Sequence, residues 1–161
     1  MTMSTCIEIV KILAALVAIG GFAFTIYKYF DARTRELKWK RVEFIFGQAL
    51  FIDQDREINY AISVLAGTRN DYTINDVFDE NGAFLSQAES KYKLGFEKLL
   101  NLLDRLAYAH LQSNVLELGE MSNFHWYYAS VLEHSRVIKH CEKNGFGDVV
   151  KMAQELESND T

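Results

Sequence analysis

The chain opens on a run that is apolar on every side of a helix rather than on one. From Ile12 to Tyr27, sixteen residues read ILAALVAIGGFAFTIY and carry no charge. At ~1.5 Å per residue they reach about 24 Å, short of a hydrocarbon core of ~30 Å. Ile7, Ile9, Val10, Tyr29 and Phe30 lengthen the run at both ends. Lys11 and Lys28 have stems long enough to carry their ammonium groups back to the headgroups, and Tyr27 and Tyr29 bring the amphipathic ring favoured at that depth. The pattern predicts a single-pass membrane helix over residues 8–30, making residues 1–30 an anchor and 31–161 a separate domain. A cleaved signal peptide and a buried core helix are the alternatives. The signal peptide is the poorer fit, because its cations precede the apolar run and here they follow it.

Within this helix Ala14, Ala18, Gly21 and Thr25 are spaced by four, three and four, which lines them up on one face. Small residues in such a stripe let two backbones approach in lipid, although Gly and Ala are also simply common in membrane helices. The stripe predicts packing against another helix, most directly a second copy of the chain.

Further along, the pattern becomes amphipathic and helical. Asp31 to Arg41 (DARTRELKWKR) is charged and made of good helix formers, so the membrane helix is expected to continue into water. Val42, Ile45, Ala49 and Ile52 recur at helical spacing, and Ile58, Ile62 and Leu65 resume it after the polar cluster 53–57, as one bent helix or two. Gly67 is a stop signal. The loop from Thr68 to Gly82 is acidic and ends in the turn signal Asn81-Gly82, with Thr73 and Asp76 spaced to cap a short turn. Ser86 to Gln112 reads as a long helix with Leu99, Leu102, Leu103, Leu106 and Leu111 inside. Ser122 to Lys143 reads as another, closed by Asn144-Gly145, and Phe146 to Glu157 as a short last one before a frayed tail. No strand pattern and no repeat appears. The fold class is therefore all-α, an N-terminal transmembrane helix continuing into a small cytosolic antiparallel helical bundle.

Charge sharpens that division. Residues 1–43 carry seven cations and four anions, a balance of +3, whereas the remaining 118 residues carry ten and eighteen, a balance of −8, which together give the overall −5. The excess lies in Lys28, Arg33, Arg35, Lys38, Lys40 and Arg41, immediately after the apolar run. Cations so placed hold that side of a membrane helix in the cytoplasm and meet anionic lipid, so the expected orientation is N-out and C-in. The acidic remainder disfavours direct contact with nucleic acid. Composition adds 21 aromatic residues and no proline, which argues against disorder and for uninterrupted helices.

Candidate chemistry is sparse. Calcium needs carboxylates at set loop positions, and with Gly82 at the sixth of these the first is Val77 and the twelfth Ala88. His134, His140 and Cys141 share a helix, yet no pair among them stands three or four apart, as ligands on one helix face must. Cys141 reads as a small buried residue, and Cys6 falls on the outer side without a partner. No nucleophile elbow, phosphate loop, dinucleotide turn or kinase signature is present. Asp104 and Arg105 are a conceivable couple, more simply salt-bridge partners of neighbouring helices. The reading is thus not an enzyme, with no catalytic residue, cofactor or metal assigned. Phe124, Trp126, Tyr127 and Tyr128 crowd one helical turn with His125, either as a partner surface or as a thick aromatic core.

The order of these features, with the segments WKRVEFIFGQALFIDQDREINYAI, LLNLLDRLAYAHLQSNVLELGEM and WYYASVLEHSRVIKHCEKNG, resembles small bacterial single-pass membrane-anchored helical proteins of unknown function, some of them associated with phage-defence systems. The resemblance implies an effector or accessory subunit of an antiviral defence system. Such a subunit is controlled by a protein partner on its cytosolic bundle and oligomerises through its helix. The alternative function is a small membrane-bound enzyme acting on lipid or nucleotide.

Overall fold

The computed structural model describes residues 3–69 and 72–159, with the side chains of residues 3–10, Ile12 and Ala15 outside the description. The chain forms two compact units, residues 1–43 and 44–161. All regular structure among the described residues is helical, and the one β-type contact is an isolated antiparallel bridge between Phe78 and Phe84. The all-α expectation therefore holds.

The first unit is helix throughout its described length, the N-terminal part of α1 (Met3–Gln54). The division between units falls after Glu43, within α1, so the basic segment lies in the same unit as the apolar one. Among the described residues no helix is long and apolar enough to cross a membrane. Ile7, Ile9, Val10, Ile12 and Ala15, which begin the apolar run, have side chains outside that description.

The second unit holds the last turns of α1 and the helices α2 (Arg56–Leu65), α3 (Ile74–Val77), α4 (Ser90–Leu111), α5 (His125–Leu132), α6 (Ser135–Asn144) and α7 (Gly147–Asn159), with a 3-10 helix over Leu118–Phe124. The polar cluster 53–57 makes two helices, not one bent one. Asp55 leaves the helical region (φ −80°, ψ 115°), and its carboxylate accepts the backbone N–H groups of Glu57 and Ile58, both at 3.0 Å. A capping aspartate supplies acceptors that the first turn lacks, so a new helix starts there. Lys98 of α4 reaches the same carboxylate at 2.7 Å and Glu57 at 3.2 Å. Burial opposes ionisation of Asp55, but Lys98, the Ile58 amide and the Glu57 side chain outweigh it and hold the carboxyl below its ordinary range.

Helix α2 packs on α4 at the distance glycine permits. A Cβ on Gly95 would stand 2.1 Å from the carbonyl oxygen of Glu57. Around that crossing Ile58, Ala61 and Val64 meet the side of α4 that buries Phe96, Leu99, Leu100 and Leu103. Helix α4 starts at Ser90 rather than Ser86, because Glu89 is extended and its N–H is taken by the Tyr72 hydroxyl at 3.0 Å.

The acidic loop is not simply solvated. Thr73 and Asp76 form the capping box that opens α3, and Val77 and Phe78 are fully buried. Asp79 accepts the N–H groups of Asn81 and Ala83, each at 2.8 Å, which shapes the turn at Gly82. Gly82 has φ +80°, and a Cβ there would lie 2.5 Å from the His140 nitrogen of α6, so only glycine serves at this contact.

The predicted helix from Ser122 to Lys143 is three pieces. His134 is extended (φ −119°, ψ 97°), which separates α5 from α6, and the stretch before His125 is wound as a 3-10 helix. No glycine or proline marks the break. Gly145 closes α6 in the left-handed region, as Asn144-Gly145 predicts. Helix α7 then buries Val149, Met152, Ala153 and Leu156. It packs on α4 and α5. Ser158 and Asn159, expected in a frayed tail, instead belong to the last turn of α7, their side chains bonding to the Glu155 carbonyl, while Asp160 and Thr161 lie outside the described residues.

Candidate functional site

The first unit presents its apolar residues outward. Val17 is 75% exposed, Phe22 70% and Leu13 56%, and Leu16, Ile19, Phe24, Ile26, Tyr27, Tyr29 and Phe30 are exposed as well. Helical residues point at successive 100° steps, so this set covers about two thirds of the circumference, and the remaining sector is that of the small-residue stripe. Ala14, Ala18, Gly21 and Thr25 are exposed on the same helix, with open space around Gly21. The Thr25 hydroxyl donates to the Gly21 carbonyl at 2.8 Å, so the polar group within the apolar run is satisfied by its own helix.

The basic segment continues the helix with its charges partly paired. Arg35 bonds to Asp31, Lys40 pairs with Glu36 at 2.6 Å, and Lys28 lies over the Phe24 ring at 5.6 Å. Both ion pairs have the acid four residues before the base, the favourable order along a helix. Arg33 and Lys38 are exposed and Arg41 is half-buried.

The aromatic turn divides in a way the sequence left open. Phe124 and Tyr128 are fully buried and are corrected from partner surface to core. Four residues apart, they share the face turned to α4, where the Tyr128 hydroxyl donates to the Leu103 carbonyl at 2.7 Å. Burial and the Asp104 charge push that hydroxyl's pKa upward. Trp126, on the opposite side, is 46% exposed, and Tyr127 is half-buried against it at 5.2 Å, edge to face. Only these two of the four reach the surface. Beside them a cleft of about 540 Å³ is lined by His125, Ala129, Leu132, Glu133, Ala153, Gln154 and Glu157.

Other apolar side chains of the second unit that sequence patterning did not single out are exposed as well. Phe44, Phe46, Leu50, Phe51 and Leu94 are all exposed. Phe51 and Leu94 share a cleft of about 340 Å³ with Leu102, Lys98 and Arg105. The available signal was density: four aromatic or leucine side chains crowd Phe44 to Phe51, more than one buried face can take.

The histidines and Cys141 serve packing. His140 is buried and its Nδ1 donates to the Gly82 carbonyl at 2.8 Å, tying α6 to the loop. His134 Nε2 meets the Leu65 carbonyl at 3.2 Å at the end of α2. His110 bridges the Leu116 carbonyl and the Glu155 carboxylate. Cys141 is buried, which pushes its thiol up to about 12, far from the thiolate a nucleophile needs. Asp104 is half-buried, its carboxyl raised by burial and by the Asp148 charge, whereas Arg105 beside it is exposed. Among the described residues no three His, Cys, Asp or Glu side chains are grouped to hold a metal ion. No family model, curated protein or solved structure matches the chain.

Proposed function

We propose that this chain is a membrane-tethered interaction protein: residues 8–30 anchor it in a bacterial inner membrane with the N-terminus outside, and the helical bundle binds a protein partner in the cytoplasm. One observation carries the reading, the exposure of ten large apolar side chains from Leu13 to Phe30 around a helix. Contiguous apolar surface of that extent is unfavourable in water and marks a contact with lipid or protein. The six cations from Lys28 to Arg41 against two acids support lipid and favour that direction. Exposure of Phe44, Phe46, Leu50, Phe51 and Leu94 supports the partner-binding half. The small-residue stripe from Ala14 to Thr25 fits association with a second copy through the helix. Resemblance to defence-associated proteins gives the reading its finer form, an effector or accessory subunit in antiviral defence that the partner controls.

Fractionation of cells expressing the full chain tests the tether. The protein is expected in the carbonate-washed membrane pellet, with a phosphatase active when fused to the N-terminus and inactive at the C-terminus. Recovery in the soluble fraction overturns the anchor, and the opposite fusion pattern overturns the orientation. Replacing Gly21 by Ile is expected to abolish crosslinked dimer, and unchanged crosslinking removes self-association through this helix.

A further inference from the structure

The last turns of α1 carry a glycine that the chain's own packing does not require. Ile45 and Ile52 are buried against the bundle, and Gly47 lies on the opposite side of the helix, exposed. A Cβ added at Gly47 would meet nothing within 4 Å. Glycine in a helix interior is less stable than alanine, and here no close neighbour inside the chain offsets that loss.

Large apolar side chains surround it. Phe44, Leu50 and Phe51 stand three or four residues from Gly47, the spacing that shares one helix face, and Phe46 flanks them. All four are exposed, Phe46 at 68%, and Leu94 of α4 is exposed in the cleft it shares with Phe51. At the size of such side chains the five present roughly 500 Å² of apolar surface. A missing Cβ at the centre of such a rim leaves a hole in which a side chain of a facing helix can settle, much as Gly95 lets α2 sit close on α4. The face thus offers both a hole and the large side chains that fill one. From Phe44 to Ile52 the helix carries no charged side chain, so an identical face meets it without like-charge repulsion. Glu97 and Arg105, of opposite sign, line the cleft beside Phe51, while Lys98 of the same lining is already paired with Asp55 and Glu57.

We infer that this face binds a second copy of the chain, the two α1 helices crossing at Gly47 about a two-fold axis. A two-fold interface uses one patch twice, so the patch has to be complementary to itself, as a glycine hole ringed by phenylalanine and leucine is. Two such faces together remove about 1,000 Å² from water, the lower bound of a specific interface, before any polar rim is added. The inference names the occupant of a surface that the proposed function gives to a protein partner, and so rests on the partner-binding half of that reading. It does not depend on the membrane tether, since all the residues it uses lie in the second unit.

Thiol crosslinking of the full chain in cells, with Cys6→Ser as background and a short bis-maleimide as reagent, tests it. Leu50→Cys is expected to give a crosslinked dimer, and Glu142→Cys, at an exposed position of α6, to give none. Gly47→Leu puts its side chain into open space and is a better helix former, so the purified variant is expected to keep the helical circular dichroism of the parent. In combination with Leu50→Cys it is nonetheless expected to reduce the dimer at least about tenfold, because the added side chain fills the crossing. Gly21→Ile is expected to leave this crosslink in place, which separates the face from pairing through the N-terminal helix. Absence of dimer from Leu50→Cys overturns the inference. So does an undiminished dimer in folded Gly47→Leu, or its loss in Gly21→Ile. A crosslink from the introduced thiol to a different protein in place of a second copy also overturns it, and leaves the partner-binding half of the proposed function standing.

Discussion

Leu13, Leu16, Val17, Ile19 and Phe22 are as apolar as Leu99, Leu100, Leu103 and Phe96, and they meet opposite fates. The first group is exposed and the second has no exposure at all. Periodicity separates them: α4 interleaves Lys93, Glu97, Lys98 and Asn101 with its leucines and so has an inside, while the run from Ile12 to Tyr27 has no polar side from which an inside can be told. A chain buries apolar residues only where another apolar surface faces them. Where a helix is apolar all round, no single face can turn to the bundle, and on the proposed reading lipid is the facing surface.

The strongest way to break this comparison is to put charge into the exposed run. Val17→Asp with Phe22→Asp places two carboxylates near the middle of residues 8–30, at a cost of about 5–7 kcal/mol for insertion. The double variant is expected to leave the carbonate-washed pellet, with the melting temperature of the bundle unchanged. Retention of the variant in the pellet shows that something other than the hydrocarbon core holds the segment.

The matching change on the buried side is Gly95→Ala. The added methyl carbon would sit 2.1 Å from the Glu57 carbonyl, a contact with backbone that no rotamer relieves. Separation of α2 from α4 should cost about 3 kcal/mol, seen as a fall of roughly 10 °C in melting temperature. Membrane retention is expected to stay as in the parent chain. A melting point within a degree of the parent shows that the α2–α4 crossing tolerates displacement.

Such a position shows what was legible in the sequence and what was not. The apolar faces of α2, α4 and α7, the capping box at Thr73 and Asp76, and the stop at Gly145 follow from local spacing, because each is decided within one or two turns. Gly95 has no local signature. Its role depends on Glu57, in a different helix. The break at His134 is equally hidden, since the extended residue is held by the distant Leu65 carbonyl rather than by a breaker residue. Phe51 and Leu94 are far apart in sequence and share a cleft only after α4 has packed beside the end of α1. Phe124 and Tyr128 needed the position of α4 to be told from Trp126.

Within the aromatic turn the same contrast is tested on a smaller scale. Tyr128→Phe leaves the Leu103 carbonyl without its 2.7 Å donor in a buried place, which is expected to cost about 1–2 kcal/mol. Trp126→Ala, at a half-open position, is expected to change stability by roughly 0.5 kcal/mol or less. Chemical denaturation of the two variants checks the order, and a larger loss at Trp126 would reverse the assignment of core and surface.

The smallest effect concerns pH, where two histidines of the bundle pull in opposite directions. Burial lowers the pKa of His140 and prevails over the Gly82 carbonyl and the Glu97 charge. Its contribution to stability is present above the unfolded value near 6.5 and is lost as pH falls through the lower folded value. At His110 burial also opposes protonation, but the Leu116 carbonyl and the Glu155 carboxylate overcome it and raise the pKa. That contribution is complete below the unfolded value near 6.5 and is lost as pH rises through the higher folded value. His110→Gln removes one slope and keeps the other. The variant is expected to melt a degree or two below the parent at about pH 5.5 and to converge on it at about pH 8, since all other titrating groups are common to both chains and cancel in the difference. A gap that stays constant across this range means that the Glu155 contact does not depend on the charge of His110, and that the bundle's response to acid comes from His140 and the carboxylates alone.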